Sequence, residues 1–100
     1  MIFVKRPGVA GRRTVLVRLA ARPRIRLQII IRDKRGRILG STYAVSTLKG
    51  RSLQLVTLRR WHGQTNLNVI VKSQVAGHMH RTNMRIHLSN RELATCRGTH

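Results

Sequence analysis

Residues 24–32 read Arg-Ile-Arg-Leu-Gln-Ile-Ile-Ile-Arg, and this alternation restricts the fold more than any other feature of the chain. Ile25, Leu27, Ile29 and Ile31 share one parity. Arg24, Arg26, Gln28, Ile30 and Arg32 share the other. A helix would scatter both sets around its axis, whereas a strand sends them to opposite faces. The segment is therefore expected to be a half-buried strand with a basic outer face. Period 2 returns at 66–72, with Leu67, Val69 and Val71 inward and Asn66, Asn68 and Lys72 outward. It returns again at 84–88, where Met84, Ile86 and Leu88 alternate with Arg85, His87 and Ser89. These ten apolar residues, Ile25 to Leu88, form the expected core.

Turn chemistry separates the runs. Asp33-Lys34-Arg35-Gly36 offers a carboxylate that accepts local backbone bonds and a glycine that tolerates positive φ. Arg37 to Val45 is then the return arm of a hairpin; Leu39, Tyr43 and Val45 share a parity, with Ser41 among them, which directs Tyr43 inward. Thr14–Ala20 and Leu53–Arg60 are further strand candidates. Lys49-Gly50 or Gly50-Arg51 makes a turn, and His62 to Thr65 a loop. The expected fold is all-β: a small antiparallel sheet, sandwich or open barrel of roughly five to seven short strands.

Three segments divide the chain. Residues 1–13, with Pro7, Gly8, Gly11 and the pair Arg12-Arg13, form a basic extended arm or an edge strand over Ile2–Val4. Residues 14–89 form a single β domain. Residues 90–100 form a tail or a short helix, since Ser89 and Glu92 fit a capping box opening a helix over Arg91–Cys96 that Gly98 ends.

Composition then decides what such a fold can bind. The 100 residues carry 21 Lys plus Arg against two acids, Asp33 and Glu92, for a net charge of +19 and a pI near 12.0. Self-repulsion at this density calls for a polyanion: nucleic acid, an anionic membrane surface or an acidic protein. Arginine makes up 17 of the 21 cations. Its planar fork matches phosphate bidentately, which favours nucleic acid; a coding bias toward Arg is the plain alternative. The candidate contacts are Arg12, Arg13, Arg24, Arg26, Arg32, Lys34, Arg35, Arg37, Arg59, Arg60 and Trp61. Trp61 stacks on a base or anchors its loop. Phe3, Tyr43 and Trp61 are the three aromatics, too few for a base-stacking sheet, so phosphate and shape recognition of folded RNA is expected over base readout and over DNA.

Other chemistries find no support. Two acids, each committed to a turn or a cap, leave no partner to orient a catalytic histidine, and no nucleophile-elbow, phosphate-loop or metalloprotease motif occurs. The protein is not expected to be an enzyme. His78, His80, His87, Cys96 and His100 lack the paired spacing of a metal site, so no metal or cofactor is expected. One cysteine excludes an internal disulfide and makes a reducing compartment the default. No apolar run reaches the ~18 residues of a membrane span. The acid-free, Arg-rich stretch from Met1 to Arg32 keeps a mitochondrial address open, though it lacks the serines of a presequence.

The composition resembles that of ribosomal proteins as a class. The hairpin from Leu27 to Val45, with Ile-Arg-Asp-Lys-Arg-Gly-Arg-Ile-Leu-Gly at its centre, is similar to the strand-turn-strand opening of the ribosomal family that carries 5S RNA and of the small-subunit platform family. It covers about a fifth of the chain. The long amphipathic helices that follow in both families are missing. The functional expectation is a structural protein of a ribosomal or other ribonucleoprotein assembly, with neighbouring proteins as further partners. The rival is a viral structural or accessory β-protein that self-assembles or binds anionic lipid.

Overall fold

The alternating runs become strands that pair antiparallel into two sheets. The computed structural model describes residues 3–21, 23–46, 51–75 and 77–98. The strands are β1 (Phe3–Gly11), β2 (Thr14–Ala20), β3 (Arg26–Asp33), β4 (Ile38–Val45), β5 (Arg51–Thr57), β6 (Asn66–Val75) and β7 (His78–His87), followed by helix α1 (Asn90–Arg97). One sheet has the order β1-β2-β5 and the other β4-β3-β6-β7, with no closed barrel. The turn expected at Lys49–Gly50 lies outside the described residues.

Both sheets contribute to one core. Val15, Val17, Leu19 and Val56 come from the three-stranded sheet. Leu27, Ile29, Ile31, Leu67, Val69, Val71 and Ile86 come from the four-stranded one. Leu58, Trp61, Leu88 and Cys96 add to the same cluster. Of the ten expected core residues, Ile25 and Met84 are only partly buried. Alternation could not rank β2, where Leu16 sits between two buried valines yet takes the outer parity.

Tyr43 corrects the expected parity of β4. The pairing of β3 with β4 runs from Arg26↔Val45 to Ile31↔Gly40 and then slips to Arg32↔Ile38. Leu39 is the extra residue of a β-bulge, and a one-residue insertion exchanges the faces of everything beyond it. Leu39 is buried, and Gly40, Thr42 and Ala44 take the core side opposite Ile31, Ile29 and Leu27. Tyr43 is thereby turned outward, 78% exposed, and Val45 with it.

Gly40 shows how closely the sheets meet. A Cβ there would run into the carbonyl oxygen of Thr57 at the end of β5. Only glycine lets the β4 backbone approach the β5 backbone this closely.

Three local devices fix the ends. The Asp33 carboxylate accepts the backbone N–H groups of Arg35 and Arg37, both at 2.9 Å, and the Arg37 Nε at 3.1 Å. Gly36 takes φ +82° in the same turn. Ser89 and Glu92 form the expected capping box, and Gly98 ends α1 in the left-handed region. β1 continues to Gly11 against β2, with register shifts between Lys5 and Gly8 and between Val9 and Gly11. Pro7 lies in the first shift, on an edge strand, where its missing N–H removes no ladder bond.

Candidate nucleic-acid interface

Register settles what faces outward on the four-stranded sheet. Directly paired residues share a face, so each cross-strand row can be followed from β4 through β3 and β6 to β7. One row runs Ile38, Arg32, Asn68, Arg85 and the next Ser41, Ile30, Ile70, Asn83. The third runs Tyr43, Gln28, Lys72, Arg81. Arg26 and Val45 pair beyond it. Five cations, Arg26, Arg32, Lys72, Arg81 and Arg85, therefore stand on one pleated surface. Ile30 and Ile70 are 5% and 3% exposed at its centre although they lie outside the main core. Long basic side chains carry methylene stems that cover such apolar ground while keeping the charge in water.

Arg32, Lys34, Gly36, Asn68, Ile70, Arg81, Asn83 and Arg85 enclose a concavity of about 480 Å³. Four cations line it and no carboxylate does. The Arg81 Nε donates to Asn83 Oδ1 at 3.1 Å, which fixes one guanidinium along the wall. The Arg32 Nε is buried and has no acceptor among the described residues. That atom is closed to solvent, so an anion seated in the concavity would be favoured by the charge of the four side chains. A second concavity of about 460 Å³ shares Lys34, Asn68 and Arg85 and adds Asn66 and His87. There His87 Nδ1 lies 2.9 Å from Asn66 Oδ1.

The two acids are spent elsewhere. Asp33 pairs with Leu67 on the core side of the sheet, and its carboxylate is held by the turn and by Arg37. Burial pushes that carboxyl up, but the N–H bonds from Arg37 and Arg35 and the Arg37 guanidinium outweigh it and hold it below its ordinary value. The Glu92 side chain accepts from the backbone N–H of Ser89. Neither neutralises the outer face.

The candidates read from the sequence separate into distinct places. Arg26, Arg32 and Lys34 belong to the basic face or its concavity. Arg35 is exposed in the adjoining turn. Arg37 is exposed in the same turn, with its charge committed to Asp33. Arg24 lies outside β3 in a turn, at φ 61°, not on the strand's outer face. Arg59 and Arg60 are exposed after β5 and line a cleft with β4. Arg12 is exposed at the β1–β2 turn, beside Gly98. Arg13, at φ 50°, ties three segments together. Its guanidinium donates to the carbonyl of Trp61 at 3.1 Å, its N–H donates to the carbonyl of Cys96, and its own carbonyl accepts from Leu58.

Trp61 is the clear correction. It is 3% exposed, and its indole N–H donates to the carbonyl of Gln64 at 2.9 Å. A packed ring offers no face to a base, so Trp61 anchors its loop. Sequence reasoning misses Lys72, Arg81 and Arg85 as members of this basic face. The alternation at 66–72 and 84–88 sends Lys72 and Arg85 outward; the neighbour relation of β3 to β6, which joins them to Arg32, has no local signature.

Among the described residues no three of His, Cys, Asp and Glu gather as a metal site would require. Burial pushes the Cys96 thiol up, with Arg13 opposing only in part, so it is held as the unreactive thiol. Among the described residues no helix is long and apolar enough to cross a membrane.

No protein-family model matches the chain, and no curated protein does. Among solved structures, a β-D-glucuronidase from Dictyoglomus thermophilum is similar in fold, with a TM-score of 0.51 and 14% identity over 87% of this chain. The chain spans 14% of that protein's length. At that identity the likeness concerns the β architecture alone.

Proposed function

We propose that this protein is a structural nucleic-acid-binding protein that holds folded RNA through its phosphates, within a ribosomal or other ribonucleoprotein assembly. The observation that supports it is the concavity lined by Arg32, Lys34, Arg81 and Arg85, with no carboxylate among its lining residues. Arginine forks bind phosphate oxygens bidentately, and a sheet fixes the spacing of the forks. Neighbouring strands lie about 4.8 Å apart, so Arg32 and Arg85, two strands from each other, can address separate phosphates.

The test is the salt dependence of binding to a folded RNA. Affinity should fall linearly in log–log form between 50 and 200 mM salt, with a slope of about −0.9 per duplex phosphate contact and about −0.7 per single-stranded one. Replacing Arg32, Lys34, Arg81 and Arg85 with Gln should flatten the slope by roughly one unit for each residue that touches phosphate. An unchanged slope removes this face from the interface.

The rival reading, a self-assembling or lipid-binding viral β-protein, has one observation in its favour. Leu53 and Leu55 are 61% and 58% exposed on β5, on the outer side of the three-stranded sheet. Binding to anionic vesicles in preference to RNA at equal salt would favour it.

A further inference from the structure

The bulge at Leu39 brings an aromatic ring onto the basic face, and the ring is not loose. Tyr43 is 78% exposed, and its hydroxyl accepts from the Gln28 side-chain amide at 3.2 Å. That bond links the ring to the neighbouring strand in its own row. Lys72 and Arg81 complete the row, and Arg81 also lines the cation concavity. Arg81 thus connects the two features: the ring lies three strands away, or about 14 Å across the sheet.

We propose that Tyr43 is a stacking platform for one unpaired nucleobase of the bound RNA, so that the ligand of this face is a loop, bulge or end and not a continuous duplex. The inference rests on the phosphate-binding reading of the same face. Its physical ground is the combination. An exposed ring on a sheet costs free energy by leaving apolar surface in water. A base covers that surface, and each base has a π-face whatever its identity. A paired base keeps its faces inside the A-form stack, so only a splayed nucleotide reaches the ring. The phosphates beside that nucleotide meet Lys72 and Arg81 in the same row, and the strand continues toward Arg32 and Arg85. Recognition of this kind selects RNA shape without reading sequence.

The experiment compares two RNAs of equal phosphate number: a hairpin with an unpaired loop, and a blunt duplex. Binding is measured by anisotropy at one salt concentration for the native protein, Tyr43→Phe and Tyr43→Thr. Threonine keeps β-propensity, so the exposed strand position should survive. The native protein and Tyr43→Phe should prefer the hairpin. Tyr43→Thr should weaken the hairpin roughly tenfold, the scale of losing one base stack, while leaving the duplex and both salt slopes unchanged. Photocrosslinking from a halogenated uridine in the loop should map to Tyr43. Equal binding of both RNAs, unmoved by Tyr43→Thr, overturns the stacking site and leaves the phosphate face standing. Binding of neither RNA at 50 mM salt overturns both.

Discussion

The two outer faces of this sandwich are built by the same alternation and differ in the side chains that the structure describes on them. The four-stranded sheet shows Arg26, Arg32, Lys72, Arg81 and Arg85, with Tyr43 on its edge strand β4. The outer side of the three-stranded sheet shows Leu16, Arg18, Leu53 and Leu55, paired across β2 and β5. Alternation requires only that one side of each sheet be apolar. It leaves the other side unspecified. A coding bias toward Arg would raise the charge of both outer faces alike; among the side chains that the structure describes, five cations stand on the four-stranded face and Arg18 on the other, where Lys5 and Arg51 also fall in outward rows by register. What distinguishes the four-stranded face is the gathering of Arg32, Lys34, Arg81 and Arg85 around one concavity, and that is the ground on which its charge is proposed to bind.

The largest expected effect comes from erasing the difference. At about 0.1 M salt, converting Arg32, Lys34, Arg81 and Arg85 to Gln should lower RNA affinity roughly a thousandfold if all four touch phosphate, which is about 4 kcal/mol. Arg18→Gln, on the other face, should change affinity by no more than about tenfold, as one contact at most. Equal losses per charge on the two faces would mean that net charge alone, not placement, sets the affinity.

Next comes the seam that holds the faces apart. Gly40→Ala drives a methyl group into the backbone of Thr57, which has no flexible side chain to move aside. Overpacking of this kind should cost about 3 kcal/mol, read from denaturant unfolding. Gly36→Ala meets no neighbour and suffers only from its positive φ. It should cost about 1 kcal/mol. Similar losses for the two variants would show that β4 and β5 do not approach so closely.

Much of this is legible in the chain, and the parts that are not share a cause. β3, β6 and the end of β7 follow from the alternation of their core-facing residues, although Ile30 and Ile70 are buried on the other face as well. The Asp33 turn and the Ser89 capping box follow from side chains that bond to their own backbone within four residues. Parity misplaces Tyr43 because a bulge leaves no mark in the spacing of Leu39, Tyr43 and Val45; only the partner strand reveals it. The cluster of Arg32 with Arg81 and Arg85 is invisible for a related reason. Strand order is non-local, and β3 pairs with β6 across an intervening β5 that belongs to the other sheet. Trp61 sits among Arg59, Arg60 and His62, a polar setting by sequence, yet the loop folds back and buries it.

A smaller effect should appear in acid. The Asp33 carboxyl is held below its ordinary value, so its contribution to stability is fully present above about pH 4 and is lost as pH falls through the folded-state value. Asp33 is one of only two acidic side chains in the chain. The thermal midpoint should therefore drop between about pH 4 and 2, and Asp33→Asn should remove much of that slope. The turn also carries Lys34 and Arg35 beside the basic concavity, so its loosening would disturb the charged face and spare the apolar one. A midpoint that does not move between about pH 5 and 2 would show that the turn bonds add nothing to stability.

The smallest expected effect concerns the apolar face. Leu53 and Leu55 are more than half exposed, so replacing both with Thr removes little buried area and retains β-propensity. Stability should change by less than about 1 kcal/mol. RNA affinity should stay within about twofold, because neither side chain lies on the sheet that carries Arg32 and Arg85. The same double variant is decisive for the rival reading. If the leucines serve self-assembly or insertion into anionic lipid, the native protein should associate with concentration or bind vesicles, and the variant should lose that behaviour while keeping its charge. If RNA is the ligand, the variant should differ from the native protein only in lower adhesion to apolar surfaces. A large fall in RNA affinity would move the interface from the basic face to the leucines, and the contrast between the two faces would no longer explain what the protein binds.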